Sequence, residues 1–152
     1  MYNFPLFMDL NNKETVVIGG GKIASRKVQK LLAAAADVTV VSPSLHPDLL
    51  VLYKEKRIAW IEDCCRPAYL QPAFLIVSAS GDAEAQAIIK RTAHAHQLVN
   101  GADNPEIGNV AFPAELIEED CHIAISTNGK NPGRAKALKK QLKIWLTKNN
   151  YS

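Results

Sequence analysis

No stretch of this 152-residue chain is apolar for long enough to cross a bilayer: runs such as 31–36 and 74–77 fall far short of the ~20 residues a spanning helix needs. The N-terminus has no basic segment ahead of an apolar core and no small-residue cleavage site, so a secretory signal is not expected, and the chain reads as cytoplasmic. Cysteine is scarce, with Cys64 and Cys65 adjacent and Cys121 distant. That is neither an even disulfide framework nor the Cys-x-x-Cys of a zinc site. His94 and His96, two apart on an expected helix, should not face each other, and no metal site is expected from them. Gly-Lys-Ser/Thr is missing after the glycines at 19–21, which excludes a Walker-type loop. Acids are absent from 130–152, where seven bases give +7; since the whole chain is +3, the rest carries −4. Such a tail suits an anionic partner or a solvated helix face. The aromatics form no base-stacking platform and no helix-turn-helix pattern accompanies the bases, so neither nucleic acid nor membrane is an expected partner.

What is present is a rhythm. "TVVIG" (15–19) reads as a buried strand, "KIASRKVQKLLAAAA" (22–36) as a helix and "DVTVVSP" (37–43) as a second strand stopped by Pro43. Strand, glycine turn, helix, strand in about thirty residues is a βαβ unit with parallel strands and a right-handed crossover. A helix over 46–56, strands over 57–62 and 73–80, a helix over 81–96 and a strand over 97–103 extend it. The fold class is therefore α/β, a Rossmann-like doubly wound parallel sheet spanning 1–105. A small α+β region, 106–152, follows: strands over 109–116 and 121–128, then a basic helix with Asn131 as N-cap and Pro132 as its first residue. Its apolar face is expected to be Ala135, Leu138, Leu142 and Trp145. Tyr53, Trp60, Phe74, Phe112 and Trp145 are assigned to packing.

In Gly19-x-Gly21-x-x-Ala24 the first glycine permits the turn, the second admits a pyrophosphate, and the small third residue lets helix pack on strand. Helix N–H groups and dipole then face the phosphates. The acid expected ~20 residues later to grip a ribose is replaced by Ser42-Pro43-Ser44, whose hydroxyls can serve instead. The lack of Arg or Lys there favours NAD over NADP. Asp103 follows the last strand of the sheet, where open α/β sheets collect ligands, and suits a general base; capping the turn before Asn104-Pro105 is its alternative. Lys130 and Arg134 beside a helix N-terminus suit an anionic substrate, and Ser126 and Thr127 in the preceding loop either bond substrate or form the turn.

"FPLFMDLNNKETVVIGGGKIASRKVQKLL", "LVNGADNPEIGNVAFPAEL" and "HIAISTNGKNPGRAKALKKQL", in this order, resemble the precorrin-2 dehydrogenase family of siroheme synthesis across essentially the whole chain. The resemblance implies a homodimer that uses NAD to oxidise precorrin-2, a tetrapyrrole, to sirohydrochlorin. It places NAD contacts at Lys22, Ile23, Pro43 and Ser44 and a catalytic aspartate at Asp103. Gly129-Lys130-Asn131-Pro132 departs from the family's Gly-x-Ser/Thr-Pro, so no hydroxyl contact is carried over to position 131. Iron insertion into sirohydrochlorin is an alternative second activity, and a non-catalytic NAD-responsive binding module is the rival from another class.

Overall fold

The computed structural model describes residues 2, 4–118, 121–128 and 130–149. By contacts the chain forms two units, Leu6–Ala111 and, with the first five residues, everything from Phe112 onward.

The first unit holds five strands, β1 (Glu14–Ile18), β2 (Asp37–Val41), β3 (Ala59–Ile61), β4 (Leu75–Ser78) and β5 (Leu98–Gly101). All pair in parallel in the order β3-β2-β1-β4-β5. Helices α1 (Lys22–Ala33), α2 (Pro47–Lys54), α3 (Pro67–Leu70) and α4 (Ala83–Thr92) make the crossovers. The order reverses between β1 and β4, the switch point at which such sheets bind ligands. Val16, Ile18, Val41, Ile76 and Val99 pack against Leu70, Ala85 and Ile89 as one buried layer. Strands buried on both faces read as unbroken apolar runs rather than alternations, as "TVVI" and "LIV" do.

Several boundaries depart from expectation. Helix α1 stops at Ala33, because Ala35 turns to φ 56 and the backbone returns to β2 through Ala36 N–H donating to Leu31 O at 3.0 Å. Helix α4 stops at Thr92, four residues short of His96. His94 and His96 therefore lie off any helix, and, contrary to the expectation of non-facing rings, they stack with centroids 5.5 Å apart and planes 3° from parallel. Residues 109–113 form no strand. Instead Asn109 completes the edge of β5: its Oδ1 accepts from Val99 N–H at 2.7 Å and its Nδ2 donates to Gln97 O at 2.9 Å.

The second unit is an antiparallel hairpin, β6 (Ala114–Glu118) with β7 (Cys121–Ile125), followed by α5 (Pro132–Lys148). The Asn131 side chain accepts from Arg134 N–H at 2.9 Å, so the helix opens as the Asn-Pro pair requires. Lys143 Nζ and Glu118 Oε1 pair at 3.3 Å between α5 and β6. The buried side chains of α5 are Ala135 and Leu146, whereas Trp145 is 53% exposed and Leu138 37%. The expected apolar face is thus covered at Ala135 but not at Leu138 or Trp145.

Candidate functional site

The glycine turn occupies the C-terminal end of β1, and its three residues answer to three different demands. Gly19 has φ +112, a region L side chains rarely enter, and a Cβ there would lie 2.6 Å from Ala79 O. Gly20 is pressed against the loop after β2: its carbonyl accepts from His46 N–H at 2.7 Å, and a Cβ would run into Ser44 O. Above Gly21 a Cβ would meet nothing within 4 Å. Gly21 is the N-cap of α1, no side chain caps that helix and no acid occupies its first turn, so its leading N–H groups are left for a ligand.

A cleft of about 550 Å³ opens there, lined by the three glycines, the loop from Ser42 to His46, Asp63 to Cys65 after β3, and Ala79, Ser80 and Asp82 after β4. Acids and one histidine line it, and no lysine or arginine does. Pro43 and Ser44 are exposed in the loop, while Ser42 is buried and its hydroxyl donates to Ser44 O at 2.7 Å. That hydroxyl is engaged in holding the loop. Lys22 and Ile23, the first residues of α1, are exposed and stand outside the lining. The open space above Gly21, the uncapped helix start and a cleft of ligand size fit a dinucleotide, with the phosphates over the turn.

Asp103 lies just past β5, and it reaches across the sheet edge instead of capping its own turn. Ser78 Oγ, at the last residue of β4, donates to its Oδ1 at 2.9 Å, and Gly81 N–H donates to Oδ2 at 2.7 Å. Burial alone would raise the carboxyl, but these two donors and the Gln86 side chain outweigh it and hold it below the usual aspartate range. Asn104 does the capping, its Oδ1 accepting from Glu106 N–H at 3.1 Å.

In the second unit, Thr127 Oγ1 donates to Asn131 O at 2.9 Å and Ser126 Oγ accepts from Asn128 N–H at 3.1 Å. Both hydroxyls build the turn ahead of α5. Lys130 and Arg134 are exposed at the start of that helix.

Sequence reasoning missed the cleft wall after β3. Asp63 accepts there from Cys64 N–H (2.8 Å), Tyr69 OH (2.7 Å) and, through Nε (2.7 Å) and NH2 (3.1 Å), Arg66. The Tyr69 hydroxyl first and the Arg66 guanidinium second hold its carboxyl below the usual range. Ser78 was missed as well; its one signal is a polar residue closing the apolar run "LIV".

Comparison with known proteins agrees with this geometry. Residues 6–114 match a family model described as "Putative NAD(P)-binding". The chain is 33% identical over 134 residues to the precorrin-2 dehydrogenase of Bacillus subtilis, covering 88% of this chain and 83% of that protein. It is 38% identical over 147 residues to a siroheme synthase of Methylobacillus flagellatus, 96% of this chain but only 32% of that much longer protein. Among solved structures it is similar to SirC, a precorrin-2 dehydrogenase, with a TM-score of 0.82 and 29% identity over 93% of this chain and 70% of that one.

Proposed function

The chain belongs to the precorrin-2 dehydrogenase family of NAD(P)-binding proteins, and we propose that it oxidises precorrin-2 to sirohydrochlorin with NAD. The observation that carries the reading is the empty space above Gly21, at the head of an uncapped helix and at the switch point of a parallel sheet. Gly19 and Gly21 shape the turn, the N–H groups of Lys22 and Ile23 meet the phosphates, and the loop Ser42-Pro43-Ser44 borders the adenosine ribose. NAD is preferred to NADP because the cleft lining offers a 2′-phosphate no lysine or arginine. Bound there, the nicotinamide supplies a hydride acceptor.

The remaining task is a proton, and Asp103 is the group proposed to take it. Its low pKa keeps it ionised at neutral pH and also makes it a weak base, so what it contributes is position and negative charge more than proton affinity. Lys130 and Arg134, exposed at the N-terminus of α5, are proposed to bind the substrate's carboxylates, with Ser126 and Thr127 shaping the loop that presents them. A second copy of the chain is proposed to cover the exposed apolar residues of this unit, Ile117, Leu138, Ile144 and Trp145, giving a homodimer. Three free cysteines suit the reducing cytoplasm.

The test separates the carboxylate's chemistry from its anchoring. Asp103→Ala removes the acceptor of two loop hydrogen bonds, whereas Asp103→Asn keeps an oxygen for one of them. The asparagine variant should bind NAD by calorimetry but form NADH from precorrin-2 about 100-fold or more slowly. Turnover by Asp103→Asn at the unsubstituted rate would remove Asp103 from the reaction.

A further inference from the structure

We propose that Gln86, on α4, is a positioning residue for Asp103: clamped by Asn104, its side-chain amide holds the Asp103 carboxylate in one orientation for the proton step. The inference rests on the reading of Asp103 given above.

The direction of each amide in this group is settled by a backbone N–H. Asn104 Oδ1 accepts from Glu106 N–H at 3.1 Å, so Nδ2 is the other end of that side chain. Asn104 Nδ2 donates to Gln86 Oε1 at 3.0 Å, which leaves Nε2 as the end of Gln86 that carries its donors. The Gln86 side chain hydrogen-bonds Asp103, and an ionised carboxylate can only accept. The donors therefore point one way along the row, from Glu106 through Asn104 and Gln86 to Asp103. Neither amide can flip without setting two donors or two acceptors face to face.

Gln86 stands on firmer ground than the residue it holds. Its helix is anchored beside it by the buried Ala85 and Ile89, and its own N–H donates to Asp82 O at 3.0 Å. Asp103 lies on a loop past β5 and is half-buried. With Ser78 Oγ and Gly81 N–H, Gln86 makes a third donor, so β4, the loop after it and α4 all converge on one carboxylate. All three donors are uncharged. The ionisable groups on the segments around Asp103 are Asp82 and Glu84 at the start of α4 and Glu106 after Asn104, exposed acids that give a carboxylate no support. Gln86 is not part of the cleft lining, to which its neighbour Ala85 belongs, so a substitution there reads out on Asp103 and not on the cofactor's own contacts.

Two substitutions of similar length separate positioning from a mere tie between helix and loop. Gln86→Glu keeps an oxygen for Asn104 but turns an acceptor toward Asp103, whereas Gln86→Met removes both bonds. A tie alone makes methionine the damaging change and leaves glutamate near normal. Positioning makes glutamate the worse of the two.

The experiment uses the full chain with aspartate carboxyls labelled by carbon-13, without ligand, and titrates the Asp103 resonance by NMR. That resonance is identified by its loss in Asp103→Asn. Its midpoint should rise by about one pH unit or more in Gln86→Glu, through the added like charge, and by less in Gln86→Met. NADH formation from precorrin-2 should slow about 10-fold in Gln86→Glu, through kcat and not KM. NAD affinity by calorimetry should be unchanged. An Asp103 midpoint that moves in neither variant, or a Gln86→Glu protein that turns over at the unsubstituted rate while Asp103→Asn is slow, overturns the proposal alone. Turnover by Asp103→Asn at the unsubstituted rate overturns the reading of Asp103 and this proposal together.

Discussion

Alanine at each of the three successive glycines should give two distinct kinds of damage, because the surroundings of the three differ. At Gly19, φ +112 costs about 1–3 kcal/mol for a residue with a side chain, and the approach of Cβ to within 2.6 Å of Ala79 O adds about 1–3 more as overpacking. The sum, about 2–6 kcal/mol, rivals the whole stability of a marginal domain and should lower Tm by at least about 4 °C. Gly20→Ala meets only the overpacking cost, about 1–3 kcal/mol, by pushing the loop at Ser42 and Ser44 off the glycine turn. Gly21→Ala places its methyl in open space at an ordinary backbone angle, φ −85. A poorer N-cap is offset by a stiffer unfolded chain, and the net change should stay within about 1 kcal/mol. Its methyl instead occupies the ground proposed for the phosphates. Losing one N–H bond to a charged oxygen, worth about 1.5–3 kcal/mol, weakens NAD about 10- to 100-fold. Thermal unfolding without ligand, followed by calorimetric titration of NAD into each variant, separates the effects. A Gly21→Ala protein that binds NAD as tightly as the unsubstituted one would refute the placement of the phosphates.

Two further outcomes follow from buried and charged hydrogen bonds. Gln97 is buried, with Nε2 donating to Leu70 O and Ala73 O at 2.7 Å each and Oε1 accepting from His94 N–H at 2.9 Å. Gln97→Leu leaves the two carbonyls unmatched and should cost about 2–6 kcal/mol in urea unfolding; a loss under about 0.5 kcal/mol would contradict it. Asp103, with its folded pKa held below the unfolded value, contributes stability that is present above the unfolded aspartate value of about 3.9 and is lost as pH falls through the folded one. The gap in urea midpoint between the unsubstituted protein and Asp103→Asn should therefore hold steady from about pH 7 to 5 and close below about pH 4; a gap that widens in acid would reverse the sign.

The parts of this fold that were legible are those whose cause is local. A β-branched run, a glycine turn, a helix-forming stretch and a second β-branched run sit within thirty residues, and each is decided by its own neighbours. Asn131 and Pro132 likewise announce α5 by themselves. What stayed hidden depends on segments that meet only after the sheet is built. Helix α3 has four residues, too few for any periodicity. Gly20 is needed because the loop after β2 returns onto it, and nothing in "GGG" distinguishes it from its neighbours. Gln97 looks like the polar start of a strand until its amide is seen tying two carbonyls of the loop after α3. The length of α4 was overread because "RTAHAH" offers no breaker; the chain leaves the helix where Gln97 Oε1 takes the His94 N–H.

The proposed site follows from register more than from any motif. Ile18 pairs with Ser78, and Ser78 with Gly101, so the carbonyl ends of β1, β4 and β5 stand level along one edge. Gly19 and Asp103, 84 positions apart in the chain, are the residues that run off that edge directly after β1 and just after β5. With parallel strands about 4.8 Å apart, two strand spacings put these ends about 10 Å from each other. One end is an uncapped helix start that favours negative charge; the other is a carboxylate held ionised by Ser78 and Gly81. With the pyrophosphate of NAD over the helix start, the nicotinamide ring, which is positive until it accepts hydride, suits the carboxylate end better than the neutral adenine that the reverse orientation would place there. In the proposed site this polarity favours one orientation of the cofactor, and Asp103→Asn should relax that preference as well as slow turnover.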